Sequence, residues 1–345
     1  MNGKANSVTG KRLIFNILFV LALMGGVFIY IGVNFDCSGI FDTLFTISWG
    51  WNALAVFSVV LQYIAEALCF YIMLKSFGIC VKFRQTIVWT GADLLYMNIS
   101  PFALGGIPAQ AMYMTRDKIP GTHTGISIAM FTCLNKTAMF VSGIFAAIVI
   151  DGIFDTGNHF FAASLIYGLI VMAGIIFFCA MTMLSPEFVT AVITFCFKTL
   201  KKLRIIKDAE SRIAACSERM KDYAACSDYI KKHPFVTVWV FLLCVVKRVA
   251  MLAPACLVYL GLGLKGTSLV YILAVQALLG VAFESFILPG AIGAYETASM
   301  AFYPAIFGEA LALPAVLYVR AFGFLAVVLS AGIIVCIRHF KMTTN

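Results

Sequence analysis

Apolar runs of more than twenty residues succeed one another along this chain from Leu13 to Ile337, and that pattern leaves very few folds open. Hydrocarbon cannot bond to backbone N–H and C=O groups, so a segment that crosses it must satisfy them internally, as a helix or in a closed barrel. Runs of ~20 apolar residues fit the helix, because ~1.5 Å of rise per residue then covers the ~30 Å apolar slab. Composition agrees: 62% of the residues are hydrophobic, 12% are charged, and the mean hydropathy is +0.98. Soluble domains carry about 25% charged residues. The fold class is therefore all-α, a polytopic transmembrane helical bundle forming one membrane domain over residues 1–345.

Full-length spans are predicted at residues 13–33, 47–74, 123–150, 160–184, 234–262 and 311–337, about six crossings. The first follows Lys4, Lys11 and Arg12, has no small-residue cleavage site and is succeeded by further spans, so it reads as a retained helix. Two more apolar segments, 85–115 and 267–307, are interrupted by NISPFALGG (residues 98–106) and LPGAIGAYE (residues 288–296). Their halves are marginal for crossing, and irregular backbone within a membrane survives only where it is buried in protein or lines a cavity. Both read as re-entrant helical hairpins, the alternative being two complete spans each and eight or more crossings in all. Asn98 and Ser100 before Pro101 read as caps, and Gly105 and Gly106 as turn residues; Pro289, Gly290 and Gly293 form the second turn.

The basic residues orient this arrangement. Of the 25 Lys and Arg residues, four (Lys136, Lys247, Arg248, Arg320) fall within spans and Lys265 alone is placed outside, which leaves 20 on the side of the N-terminus. The positive-inside rule makes that side cytoplasmic, with both termini there. The first hairpin then enters from the cytoplasm and the second from the opposite face, an arrangement that resembles the inverted repeats of transporters. The one long polar segment, 185–233, opens with Ser185, Pro186 and Glu187, a good helix start. It continues with Ile206, Ala209, Ile213, Cys216, Met220, Tyr223, Ser227 and Ile230 at spacings of three and four, an amphipathic cytoplasmic insertion. Its basic cluster suits anionic headgroups, so the net charge of +9 calls for no nucleic acid partner.

Eight ionisable residues lie inside apolar segments: Glu66, Asp93, Glu284 and Glu296 against Lys136, Lys247, Arg248 and Arg320. Charges at depth cost at least ~2.5 kcal/mol each, so they pair with one another or line a wet cavity. A basic group facing a cavity holds phosphate well, an arginine in bidentate fashion. Glu296, just past the second break, either caps backbone N–H groups of the second hairpin half or receives a cation or the amino group of a substrate. No phosphate loop, zinc-protease helix, nucleophile elbow or dinucleotide fingerprint occurs, and the cysteines and histidines are dispersed. No catalytic residues, cofactor or metal are expected.

Three motifs in order, P-x-x-x-G-G at Pro101 to Gly106, L-P-G-x-x-G-x-x-E at Leu288 to Glu296 and R-x-x-G at Arg320 to Gly323, resemble the integral membrane family of lysylphosphatidylglycerol synthases and flippases. That family includes the bacterial multiple peptide resistance factor. The chain departs from its pattern at Pro108 and Gln110, and at Asn135 and Lys136, where the family commonly carries charged residues. It also reaches Asn345 directly after the last span, without the soluble transferase domain of the bifunctional members.

The resemblance implies a lipid flippase-like protein of the bacterial cytoplasmic membrane, moving an anionic or aminoacylated phospholipid such as (lysyl)phosphatidylglycerol. Lys247, Arg248 and Arg320 would hold the phosphate, Lys136 would belong to the same headgroup site, Glu284 and Glu296 would balance charge or meet an amine, and the proline and glycine turns would act as gates. The implied partners are membrane phospholipid, a separately encoded soluble transferase and a second copy of the chain. One alternative is phosphatidylglycerol lysyltransferase activity, linked to resistance to cationic antimicrobial peptides; another is secondary transport of a small solute.

Overall fold

The computed structural model describes residues 46–150, 159–202, 228, 231–284 and 286–343. The predicted first span and most of the insertion at 185–233 lie outside these residues. Every described element is helical or a turn.

Five helices are long and apolar enough to cross a membrane. They are α1 (Trp49–Ser76), α4 (Gly121–Val149), α5 (His159–Leu184), α7 (Pro234–Gly261) and the run Glu309–Arg338, in which α11 (Glu309–Arg320) and α12 (Ala326–Thr343) are joined by a π-helical turn at Ala321–Leu325. Each agrees within two residues with a span predicted from hydropathy. Their outer faces carry exposed large apolar side chains such as Phe57, Ile148, Ile170, Phe177 and Trp239, as a surface solvated by lipid requires. α6 (Pro186–Lys202) starts where the sequence predicts. Ser185 Oγ accepts from Phe188 N–H at 3.2 Å and donates to Glu187 Oε2 at 2.9 Å. Backbone N–H bonding at this helix start, helped by Ser185, holds the exposed Glu187 carboxyl below the usual carboxylate range.

The remaining helices form two broken hairpins. In the first, α2 (Phe83–Ile99) turns through Pro101–Ala103 into α3 (Gly106–Arg116), and the two arms pack together. At 17 and 11 residues neither arm reaches the ~20 residues of a full crossing. In the second, α8 (Leu269–Phe283) leads through Pro289–Ala291 into α9 (Ala294–Ser299) and α10 (Tyr303–Phe307). The return arm is thus two short pieces rather than one helix. Pro304 restarts the chain in α10, and Gly308, at φ 80°, closes it and turns it into α11.

The first turn corrects the sequence reading. Gly105 has φ −75° and Gly106 is helical, whereas the left-handed positions are Phe102 and Ala103, both at φ 56°. The glycines instead permit close approach: a Cβ on Gly105 would sit 2.6 Å from Tyr96 O, and one on Gly106 would collide with Asp93 Oδ1. Asn98 is not a cap either. It lies in the last turn of α2, and its side chain donates back to Leu94 O at 2.7 Å, while Ser100 Oγ accepts from Gly105 N–H at 2.7 Å. The second turn uses its glycines as expected, with Gly290 at φ 57° and Gly293 at φ 85°.

Two apolar cores result. One gathers Phe70, Trp89, Leu95, Met114 and Val335 around the first hairpin, and the other gathers Phe161, Val258, Leu279, Tyr303 and Val316 around the second. The hairpin tips meet between them, where Phe102 N–H donates to Phe286 O at 3.1 Å.

Candidate functional site

All eight predicted intramembrane charges are in the described residues, and six of them form three ion pairs. Lys247 Nζ lies 2.6 Å from Glu66 Oε2, joining α7 to α1; Glu66 is fully buried. Lys136 Nζ lies 2.6 Å from Glu284 Oε1, joining α4 to the end of α8. Arg320 Nε lies 2.6 Å from Glu296 Oε1, and its Nη2 donates to Gly290 O at 3.0 Å, so the last span grips the second turn. Glu296 uses its other oxygen to accept from Gly293 N–H at 2.7 Å. It therefore caps α9 and pairs with arginine at once, the two alternatives of the sequence reading fused in one side chain.

Aromatic rings cover these cations. Phe131 lies beneath Lys247 at 5.0 Å, and Tyr295 and Phe324 lie 5.1 and 4.5 Å from the Arg320 guanidinium. The π-helical turn directly after Arg320 carries Phe324 to this position, and the ring lies so close to Gly290 that a Cβ there would collide with it. Such turns recur at functional sites.

Arg248 and Asp93 are the two charges left over. Arg248 is 6% exposed, and among the described residues no carboxylate oxygen lies within 4 Å of it. Among the described residues it donates to two neutral oxygens, Ser142 Oγ at 3.3 Å and Ala277 O at 3.2 Å. Its guanidinium rests on Gly280 of α8, where any side chain would displace it. Asp93 is 8% exposed and likewise has no cation within 4 Å among the described residues.

A cavity of about 410 Å³ adjoins these groups, lined by Asp93, Gln110, Lys136, Lys247, Arg248 and Glu284 together with apolar residues of α3, α4 and α5. That volume falls in the ~300–1,000 Å³ range of small-ligand sites. Phe102, Leu104, Ile107 and Phe178 on its rim are exposed large apolar side chains, so its mouth opens through an apolar surface. A second cavity of about 140 Å³ holds Asn98, Gly290, Tyr295, Arg320 and Gly323. Met97, Ala103, Arg248, Met251 and Glu284 belong to both, so Arg248 stands in the wall between them.

The geometry gathers Lys136, Lys247, Arg248 and Glu284 at the larger cavity and Arg248, Glu284 and Arg320 at the smaller; Glu296 sits beneath Arg320 as its counter-ion. Pro101, Gly105 and Gly106 shape the first tip without lining either cavity, and Gly293 caps the second. Sequence reasoning missed the neutral partners Ser142 and Ala277, the flat seat at Gly280, and the π-helical turn, none of which has a local signature. Among the described residues no group of three or more His, Cys, Asp or Glu is placed to hold a metal.

Long apolar helices enclosing buried charged groups, with largely apolar cavities that those charges line beside two broken hairpins, define a polytopic helical membrane protein. Within that class, the chain belongs to the family described as Lysylphosphatidylglycerol synthase TM region, which matches residues 14–331. No curated protein and no solved structure matches it significantly.

Proposed function

We propose that this protein carries an anionic or aminoacylated phospholipid, of the phosphatidylglycerol or lysylphosphatidylglycerol kind, across a bacterial cytoplasmic membrane. The headgroup travels through the two cavities while the acyl chains stay in lipid beyond the apolar rim. In this reading the hairpins are re-entrant, the first entering from the cytoplasmic side, where both termini lie. The short arms of α2, α3 and α8 and the distribution of basic residues support that placement.

One observation carries the reading: Arg248 is buried, has no carboxylate within 4 Å among the described residues, and stands in the wall shared by both cavities. A guanidinium that bonds only neutral acceptors keeps its charge available for phosphate, which it can bind through two parallel N–H donors. Lys136, Lys247 and Arg320 are already neutralised by carboxylates and supply a balanced polar lining. The hydrogen bond between Phe102 and Phe286 joins the tips, and passage of a headgroup requires them to part.

The test uses proteoliposomes containing phosphatidylglycerol with a fluorophore on an acyl chain and a membrane-impermeant quencher added outside. Protein should accelerate the loss of the inner-leaflet signal, and Arg248→Gln should slow it about tenfold, the effect of losing a charged hydrogen bond worth ~1.5 kcal/mol. Equal rates with and without protein would sink the proposal.

The family description favours a second reading, participation in lysylphosphatidylglycerol synthesis with a separately encoded soluble transferase. Lipid extracts from cells expressing this chain with and without a transfer-RNA-dependent transferase separate the two.

A further inference from the structure

Glu66 is fully buried, and its two carboxylate oxygens are served differently. Oε2 accepts from Lys247 Nζ at 2.6 Å, whereas Oε1, also shielded, meets no donor among the described residues. The Asp93 carboxyl of α2 lies within hydrogen-bonding reach of this side chain. Two carboxylates can only accept hydrogen bonds and repel each other, so the contact becomes favourable when one of them carries a proton and donates it. Lys247 keeps Glu66 charged, which leaves the proton to Asp93.

Position favours the same assignment. Asp93 lines the cavity of about 410 Å³, and Glu66 does not, so a proton can pass between Asp93 and the cavity. The other charges that act on Asp93 are Lys247 of α7 and Lys136 of α4, each already bonded to a carboxylate, Glu66 and Glu284 respectively. The Cys69 and Cys244 thiols lie beside the Glu66–Lys247 pair and bond to one another, and Tyr63 on α1 donates to Val327 O at 2.9 Å. Of the remaining elements against α2, α3 presents the neutral Gln110, α12 packs Ile334 on Gly91, and the turn Pro289–Ala291 has no charged residue.

The protonation of Asp93 then decides what the cavity can hold. With Asp93 protonated, Glu66–Lys247 and Lys136–Glu284 are neutral pairs and the single positive charge of Arg248 is left, so one phosphate brings the total to zero. With Asp93 ionised the empty cavity is already balanced, and the same phosphate would leave a net negative charge buried. Proton and phosphate therefore each favour the binding of the other.

We propose that Asp93 is a proton-binding site linked to the anion site at Arg248, so that an anionic headgroup and one proton occupy the cavity together. The inference rests on the translocation reading for the anion at Arg248. In transport it makes passage of that anion electroneutral and lets a pH difference across the membrane drive it.

The experiment is calorimetric titration of the purified full chain in detergent with a short-chain phosphatidylglycerol, from about pH 5 to about pH 9, the span over which buried carboxyls titrate. The phosphodiester stays ionised throughout. Wild-type affinity should fall about tenfold from the acid to the alkaline end, and titrations repeated in two buffers of different ionisation heat should show net proton uptake on binding. Asp93→Asn, neutral at every pH, should keep the acid-end affinity throughout and take up no proton, while Asp93→Glu should retain the pH dependence. Should Asp93→Asn fail to fold, the proton count of the wild-type protein decides alone. Wild-type binding that is indifferent to pH and takes up no proton overturns the proposal, as does an unchanged pH dependence in Asp93→Asn. Proton-linked binding without lipid movement in vesicles would reject translocation and leave the linked site standing; lipid movement without proton uptake on binding would do the reverse.

Discussion

Removing either partner of the Glu66–Lys247 pair should destabilise the protein, and by unequal amounts. At 2.6 Å in an effective dielectric near 20 the attraction is roughly 6 kcal/mol, most of it offset by desolvation of two buried ions. Lys247→Met leaves Glu66, which is fully buried, without its ammonium partner and near Asp93, and should cost about 3–5 kcal/mol. Glu66→Gln leaves Lys247 with Asp93, a second carboxyl group that acts electrostatically on it. Its cost should therefore be smaller, about 1–3 kcal/mol. The double variant Glu66→Leu/Lys247→Met removes the charged pair altogether and should be more stable than Lys247→Met alone. Unfolding in mixed micelles, followed by tryptophan fluorescence, orders the three variants. If Glu66→Gln proves as costly as Lys247→Met, Asp93 does not act as the alternative partner and the charge accounting of the layer is wrong.

Three further outcomes follow from individual contacts. Gly290→Ala forces a left-handed backbone on alanine at ~1–2 kcal/mol and drives a methyl into the Phe324 ring at ~1–3 kcal/mol, so the melting temperature should fall clearly and lipid movement should be lost with it. Arg248→Lys keeps the charge but not the two parallel donors, and in the vesicle assay it should recover only part of the rate lost in Arg248→Gln. Ser100→Ala removes the acceptor of Gly105 N–H at the first tip, and a stability loss of about 1 kcal/mol in the same unfolding measurement would match one hydrogen bond; no change would mean that the tip is held by packing alone.

Much of the fold was legible because a bilayer imposes one simple rule on the chain. Helix ends at 49–76, 121–149, 159–184, 234–261 and 309–338 were visible in hydropathy, since each residue facing lipid must be apolar whatever its neighbours are. The breaks at Pro101 and Pro289 were visible for the same reason: a proline inside an apolar run removes a donor that lipid cannot replace. The conformations within the breaks were not. Gly105 and Gly106 read as turn formers, yet they are there because α3 packs back onto Tyr96 and Asp93, a contact that exists only once the hairpin has closed.

The candidate site divides along the same line. Composition and position determined that eight charges lie within apolar segments and that they must be compensated, because an ion in hydrocarbon is costly wherever it sits in the sequence. Which charge compensates which was decided by the tertiary structure. Glu66 and Lys247 are 181 positions apart and Lys136 and Glu284 are 148 apart, and no local pattern links residues at such separations. Only after those pairs form do Arg248 and Asp93 emerge as the two with no opposite charge within 4 Å among the described residues. Sequence alone determined a membrane helix bundle with broken hairpins and a buried charged layer. Helix packing alone decided which charges neutralise one another and which are left without a close partner, because Coulomb energy depends on distance in space and not along the chain.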